Sequence, residues 1–146
     1  MASGVYTRGM YDGLRGVINY STSTIMAGLV STSYVFNKDH NYWKAGSTAF
    51  NNQITGTGYT AGGQALLAKT LTKQDASDNV KWDASNSVWG PGATFSAGGV
   101  VLRASNAAYS HPLICFFSFG TAKIVDNGTF TIQWSTAGIA VASSGS

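Results

Sequence analysis

Gln53-Ile54-Thr55-Gly56-Thr57-Gly58-Tyr59-Thr60-Ala61-Gly62-Gly63-Gln64 packs four glycines into the eight residues from Gly56 to Gly63. Two structures use such a run: a loop that cradles phosphate on backbone N–H groups, or a backbone that must turn and pass close to a sheet. The dinucleotide fingerprint needs G-x-G-x-x-G between a strand and a helix, and the spacing after Gly58 does not supply it. Gly63-Gln64-Ala65-Leu66-Leu67-Ala68-Lys69-Thr70 differs from the phosphate-loop pattern only by Ala68 in place of glycine. No apolar strand leads into Gly63, and the run from Ala65 to Leu71 fits a core strand better than a phosphate loop. The glycines therefore read as a structural lead-in to a β-domain, and no nucleotide or other cofactor is expected.

Downstream of this run the punctuation is regular. Strands are predicted at Ala65–Leu71 and Val80–Ala84, with an Asp75–Asn79 turn between them. Asn86–Gly92 holds Val88 and Trp89 and ends in a Gly90-Pro91-Gly92 break. Ala93–Phe95 and Gly99–Ser105 flank a glycine kink, and Leu113–Phe119 is apolar enough for a central strand buried on both faces. Asp126-Asn127-Gly128 predicts a hairpin turn. Phe130, Ile132 and Trp134 then alternate with Thr131, Gln133 and Ser135 in the cleanest amphipathic strand of the chain. Ile139–Ala142 predicts a last edge strand, and residues 143–146 a flexible tail.

Upstream, Thr24–Val30 predicts a first strand. The segment from Ser31 to Gln53 reads as a long loop, with Tyr42, Trp43 and Phe50 pinning it to the sheet. Residues 1–24 form an N-terminal arm. Met10, Leu14, Val17 and Ile18 have helical spacing, so a short helix is open to it. Gly9, Gly13 and Gly16 each cost such a helix about 1 kcal/mol relative to Ala, so it needs a surface to lie against. The expectation is a single all-β domain: an antiparallel β-sandwich of about 7–9 short strands spaced roughly 8–12 residues apart, spanning residues 25–142, with the arm at 1–24.

Composition limits the function classes. Charged residues make up 10% of the 146-residue chain, against about 25% in ordinary soluble domains. Glutamate is absent, and nine Lys and Arg against six Asp leave a net charge of +3. The cations are scattered along the sequence, so no nucleic-acid footprint is expected. No apolar run reaches the eighteen residues of a membrane span, and no membrane partner is expected. The N-terminus lacks the basic-then-apolar pattern of a secretory signal, so synthesis in a cytoplasm is expected. Cys115, alone in Leu113-Ile114-Cys115-Phe116-Phe117, reads as a small buried hydrophobe.

No catalytic constellation stands out. His40 and His111 are the only histidines, and acid–base or metal chemistry would need both in one place with carboxylates. Asp75, Asp78 and Asp83 lack the calcium-loop spacing and its terminal Glu. No G-x-S-x-G is present. Neither catalytic nor metal-ligating residues are therefore expected. The freer aromatic groups, Tyr42, Trp43 and Tyr59, suit a contact surface.

Ile54-Thr55-Gly56-Thr57-Gly58-Tyr59-Thr60-Ala61-Gly62-Gly63 resembles a segment of small virion structural proteins of tailed bacteriophages. Val80-Lys81-Trp82-Asp83-Ala84 with Trp89, Ala93-Thr94-Phe95-Ser96-Ala97, and Phe119, Gly120, Val125, Asn127–Trp134 and Gly138-Ile139 follow in the same order. The resemblance spans about residues 53–141. Gln53 stands where those chains carry an acidic residue, and residues 1–52 match loosely. The resemblance implies a capsid decoration, or cement, protein rather than an enzyme. Its partners would be the major capsid protein and itself, as a homotrimer, on the outside of the virion head. Tyr6, Met10, Tyr11, Leu14, Tyr42, Trp43 and Tyr59 are the candidate assembly contacts. Two other roles stay open: a tail or neck component, and a carbohydrate-binding host-attachment module with Tyr42, Trp43 and Tyr59 as its sugar platform.

Overall fold

The computed structural model describes residues 3–135 and 138–143; most of the predicted tail, 144–146, lies outside them. In chain order the elements are β1 (Gly4–Val5), α1 (Thr7–Leu14), β2 (Ile25–Val30), α2 (Thr48–Asn51), β3 (Gln64–Ala65), β4 (Thr70–Gln74), β5 (Asn79–Asp83), β6 (Ser87–Ala104), β7 (Leu113–Ile132) and β8 (Ala140–Ser143). The strands form two antiparallel sheets. The larger has the order β1-β7-β6-β2-β3 and the smaller β4-β5-β8. The fold is the all-β sandwich that the alternating pattern predicts. No helix among the described residues is long and apolar enough to cross a membrane.

Both faces of the larger sheet are buried, each by a different partner. On one face Ile25, Leu29, Phe95, Leu102 and Cys115 form a core with Trp82 of β5 and with Leu66 and Ile139. On the other, Val30, Val101, Leu113 and Phe116 pack against Tyr34 and Trp43 of the long loop. A bridge between Val30 and Gln53 closes the base of that loop, so residues 31–52 leave the sheet and return to it. Trp43 lies over Gly28, where a Cβ would come 2.8 Å from the indole. Phe50 meets Trp43 edge-on at 6.0 Å. These two aromatics do pin the loop to the sheet.

Several predicted short strands are segments of two long ones. The pieces around Val88, Phe95 and Val101 are all β6, and Leu113 through Ile132 is all β7. The breaks between them are bulges. Trp89 pairs with Phe130 and Ala93 with Gly128, so Gly90-Pro91-Gly92 bulges out of β6 without ending it. Proline has no N–H to give a ladder, and a bulge asks none of it. Asp126-Asn127-Gly128 is likewise no hairpin. A type I′ turn needs positive φ at both central residues. Here Asn127 has φ +49° while Gly128 is not in the positive-φ region, and the register slips by one residue between Gly128 and Val125. The hydroxyl of Thr94 accepts the Asn127 N–H at 2.9 Å and holds this bulge.

The strand predicted over Ala65–Leu71 also divides. β3 ends at Ala65, Leu66 enters the core, and Leu67 is exposed. Ala68, at φ +52°, turns the chain from the larger sheet into β4 of the smaller one. Since a strand and not a helix follows the glycine run, the phosphate-loop reading has no structural support here.

Candidate interaction face

The arm carries its helix against its own sheet, with the opposite face down from the one that hydrophobic spacing suggests. Gly9 and Asp12 are the buried positions of α1. A Cβ at Gly9 would lie 2.7 Å from Cα of Ile114, so the missing side chain lets helix and β7 touch backbone to backbone. Gly13 makes room for Tyr20, whose hydroxyl donates to the Gly9 carbonyl at 2.7 Å. Gly16, at φ +86°, ends the helix: Val17 N–H reaches the Asp12 carbonyl and Gly16 N–H that of Gly13, the Schellman pattern. Met10 and Tyr11 are left 51% and 54% exposed, and Leu14 is 92% exposed.

Met10 also forms one wall of an apolar groove of about 250 Å³. Val5, Leu71, Val80 and Ala142 line it, with Cys115 at its floor. Burial raises the Cys115 thiol well above the ordinary range, so it is a neutral apolar group there.

Asp12 is fully buried beneath α1. Its Oδ1 takes Nε and Nη2 of Arg15 at 2.7 and 2.6 Å, with Arg8 Nη1 at 3.8 Å. The other oxygen, Oδ2, has no hydrogen-bond partner among the described residues. The hydrogen bond to Asp12 raises the pKa of Arg15 further.

The remaining candidate contacts divide sharply. Tyr6 is not a surface group. It is fully buried, and its hydroxyl shares a 2.6 Å hydrogen bond with that of Tyr34, which also meets Nδ1 of His40 at 2.9 Å. Desolvation, then this hydrogen bond, pushes the Tyr6 phenol far above its usual value. Trp43 is not a surface group either: it sits in the second core, beneath the guanidinium of Arg103 at 5.3 Å. Tyr42 is half-buried, with Arg8 and Lys44 over its ring.

Tyr59 is half-buried because it ties the glycine run to the sheet. Its hydroxyl accepts the Leu29 N–H at 3.2 Å and donates to Oε1 of Gln53 at 2.9 Å. The Gly62 N–H shares that oxygen, and the Gly62 carbonyl accepts from Nη2 of Arg103 at 3.0 Å. Burial pushes the Tyr59 phenol up to about 12. Arg103 is buried without a carboxylate partner among the described residues, and desolvation lowers its pKa. Its Nε finds no hydrogen-bond partner among the described residues. The glycine run is thus clasped by a cation and a glutamine and presents no open cradle.

The two histidines are used locally. His40 meets Tyr34, and Nδ1 of His111 accepts the Asn106 N–H at 3.0 Å. Desolvation, then the charge of Arg103, lowers the His111 pKa and keeps the ring a neutral acceptor. Among the described residues no three His, Cys, Asp or Glu side chains group as metal ligands.

No family model, curated protein or solved structure matches the chain.

Sequence reasoning missed four participants, Arg8, Arg15, Lys44 and Tyr109. Arg15 lies over the rings of both Tyr11 and Tyr109, at 4.6 and 5.1 Å. The residues come from distant parts of the chain, so no local motif marks them. The one signal available was the i, i+3, i+7 spacing of Arg8, Tyr11 and Arg15, which aligns them along one side of a helix.

Proposed function

We propose that this chain is a non-catalytic virion structural protein that docks on the outside of an assembled phage capsid and cements it. The observation that carries the reading is the mounting of α1. The helix is fixed to β7 through glycine, while Met10, Tyr11 and Leu14 face outward beside an apolar groove. Large apolar groups held outward on a rigid element mark an interaction site. The resemblance of residues 53–141 to small phage virion proteins supplies the class of partner, and the homotrimer is part of the same proposal.

A protein that binds only the assembled shell stabilises it by mass action. Purified protein added to particles lacking it should raise their resistance to heat and to chelators. Leu14→Glu should abolish that gain while leaving the melting temperature of the free protein unchanged. Unchanged particle resistance, or localisation of the protein to the tail by labelled electron microscopy, overturns the reading. The sugar-platform role loses its central member, because Trp43 is buried beneath Arg103.

A further inference from the structure

Across the outer side of α1, cations and aromatic rings alternate through three separate segments of chain. Lys44 Nζ lies 5.3 Å from the centre of the Tyr42 ring. Arg8 Cζ lies 5.1 Å from Tyr42 and 5.4 Å from Tyr11. Arg15 Cζ lies 4.6 Å from Tyr11 and 5.1 Å from Tyr109. Tyr11 and Tyr109, 54% and 42% exposed, present much of their surface to solvent, and Lys44 is exposed.

The charge along this strip is unbalanced. Its three cations contact one carboxylate, that of Asp12, which is fully buried and bound to Arg15. Asp39 lines the same hollow as Arg8 and Tyr11, but its Oδ1 is held by Lys38 at 3.1 Å. The chain as a whole carries only +3, so the strip concentrates positive charge that is otherwise dispersed.

We propose that this ladder, from Lys44 to Tyr109, is a docking surface for a carboxylate-rich face of a partner protein. Guanidiniums pair with carboxylates through charge-assisted N–H bonds, and Arg15 already turns two nitrogens, Nε and Nη2, onto one oxygen of Asp12. Single-stranded nucleic acid would need free ring faces on which to stack its bases. Tyr11 and Tyr42 each carry two cations near the ring and Tyr109 one, so cations compete with bases for these rings. Charge complementarity of this kind accelerates encounter and fixes orientation.

The proposal rests on the docking reading of α1, since both place a partner against that helix, but it is tested without particles. A fluorescent oligoglutamate peptide and an oligothymidylate of equal charge are titrated into the intact protein at low and at physiological salt. The peptide should bind at low salt and weaken as salt rises. Lys44→Gln and Arg8→Gln should each weaken it about threefold, and together about tenfold. Lys44 has no part in the Asp12 pair, so Lys44→Gln should leave the melting temperature unchanged. Arg8 also lies 3.8 Å from Asp12 and donates to Asn41 Oδ1 at 3.0 Å, so Arg8→Gln is compared at a temperature where circular dichroism shows it folded. The charge-matched control Lys73→Gln/Lys123→Gln, away from the ladder, should leave binding unchanged. The proposal is overturned if the peptide does not bind, if the control weakens it equally, or if the oligonucleotide binds more tightly than the peptide. Any of these results leaves the shell-cementing test standing.

Discussion

A methyl group at residue 63 would overlap the Ala27 carbonyl oxygen, and the backbone there stands at φ +85°. Both facts penalise any side chain, so Gly63→Ala should lower unfolding stability by about 2–4 kcal/mol, read from urea midpoints. That glycines in this run serve close approach and positive φ was legible from their density. The clasp was not, because Gln53, Tyr59 and Arg103 converge across forty residues and more of sequence. The phenols give a second residue-scale prediction. Tyr6, Tyr20, Tyr34 and Tyr59 are all raised, chiefly by burial, as is the Cys115 thiol. Each folded group holds its proton at pH values where the unfolded group has lost it. The stability this contributes is fully present below the unfolded values, about 8.5 for Cys and about 10 for Tyr, and is lost as pH rises through the folded ones. Urea midpoints should therefore be flat near neutrality and fall progressively above about pH 9. A midpoint that rises over this range would refute the assignment.

At the scale of the element, α1 shows why apolar spacing found a helix but could not say which face meets its own sheet. Met10, Leu14, Val17 and Ile18 suggest one stripe, yet the helix stops at Leu14, and the two that meet the core, Ile18 within it and Val17 packed against it, lie beyond its end. Close backbone approach selects small residues, and a periodicity that scores only large apolar groups cannot see them. Two substitutions separate the faces. Gly9→Ala would normally stabilise a helix by about 1 kcal/mol. Here the new Cβ would meet Ile114 Cα and the Leu113 carbonyl at 2.7 and 2.8 Å. It should instead lower the melting temperature and increase hydrogen exchange across residues 7–14. Leu14→Ser should change stability by no more than about 0.5 kcal/mol. Asp126-Asn127-Gly128 failed as a hairpin signal for a comparable reason. The dipeptide permits left-handed backbone, but its strand neighbours decide whether the chain reverses or only bulges.

For the whole molecule, fold class was legible because several strand segments alternate inward and outward residues, as in Phe130, Ile132 and Trp134, whose neighbours at 131, 133 and 135 are exposed. The merging of short strands into β6 and β7 was not legible, since glycine and proline punctuate bulges and turns alike. Nor was the division of labour between the two faces of the larger sheet, which depends on where the loop of residues 31–52 folds back. The floor of the groove beside α1 holds the chain's single thiol, Cys115, only 2% exposed. A thiol reagent can reach that atom only when α1 or β8 lifts, so the labelling rate is a built-in clock for that opening. Native protein should label slowly and Gly9→Ala faster, while a partner seated over the groove should slow the clock further without altering a single residue.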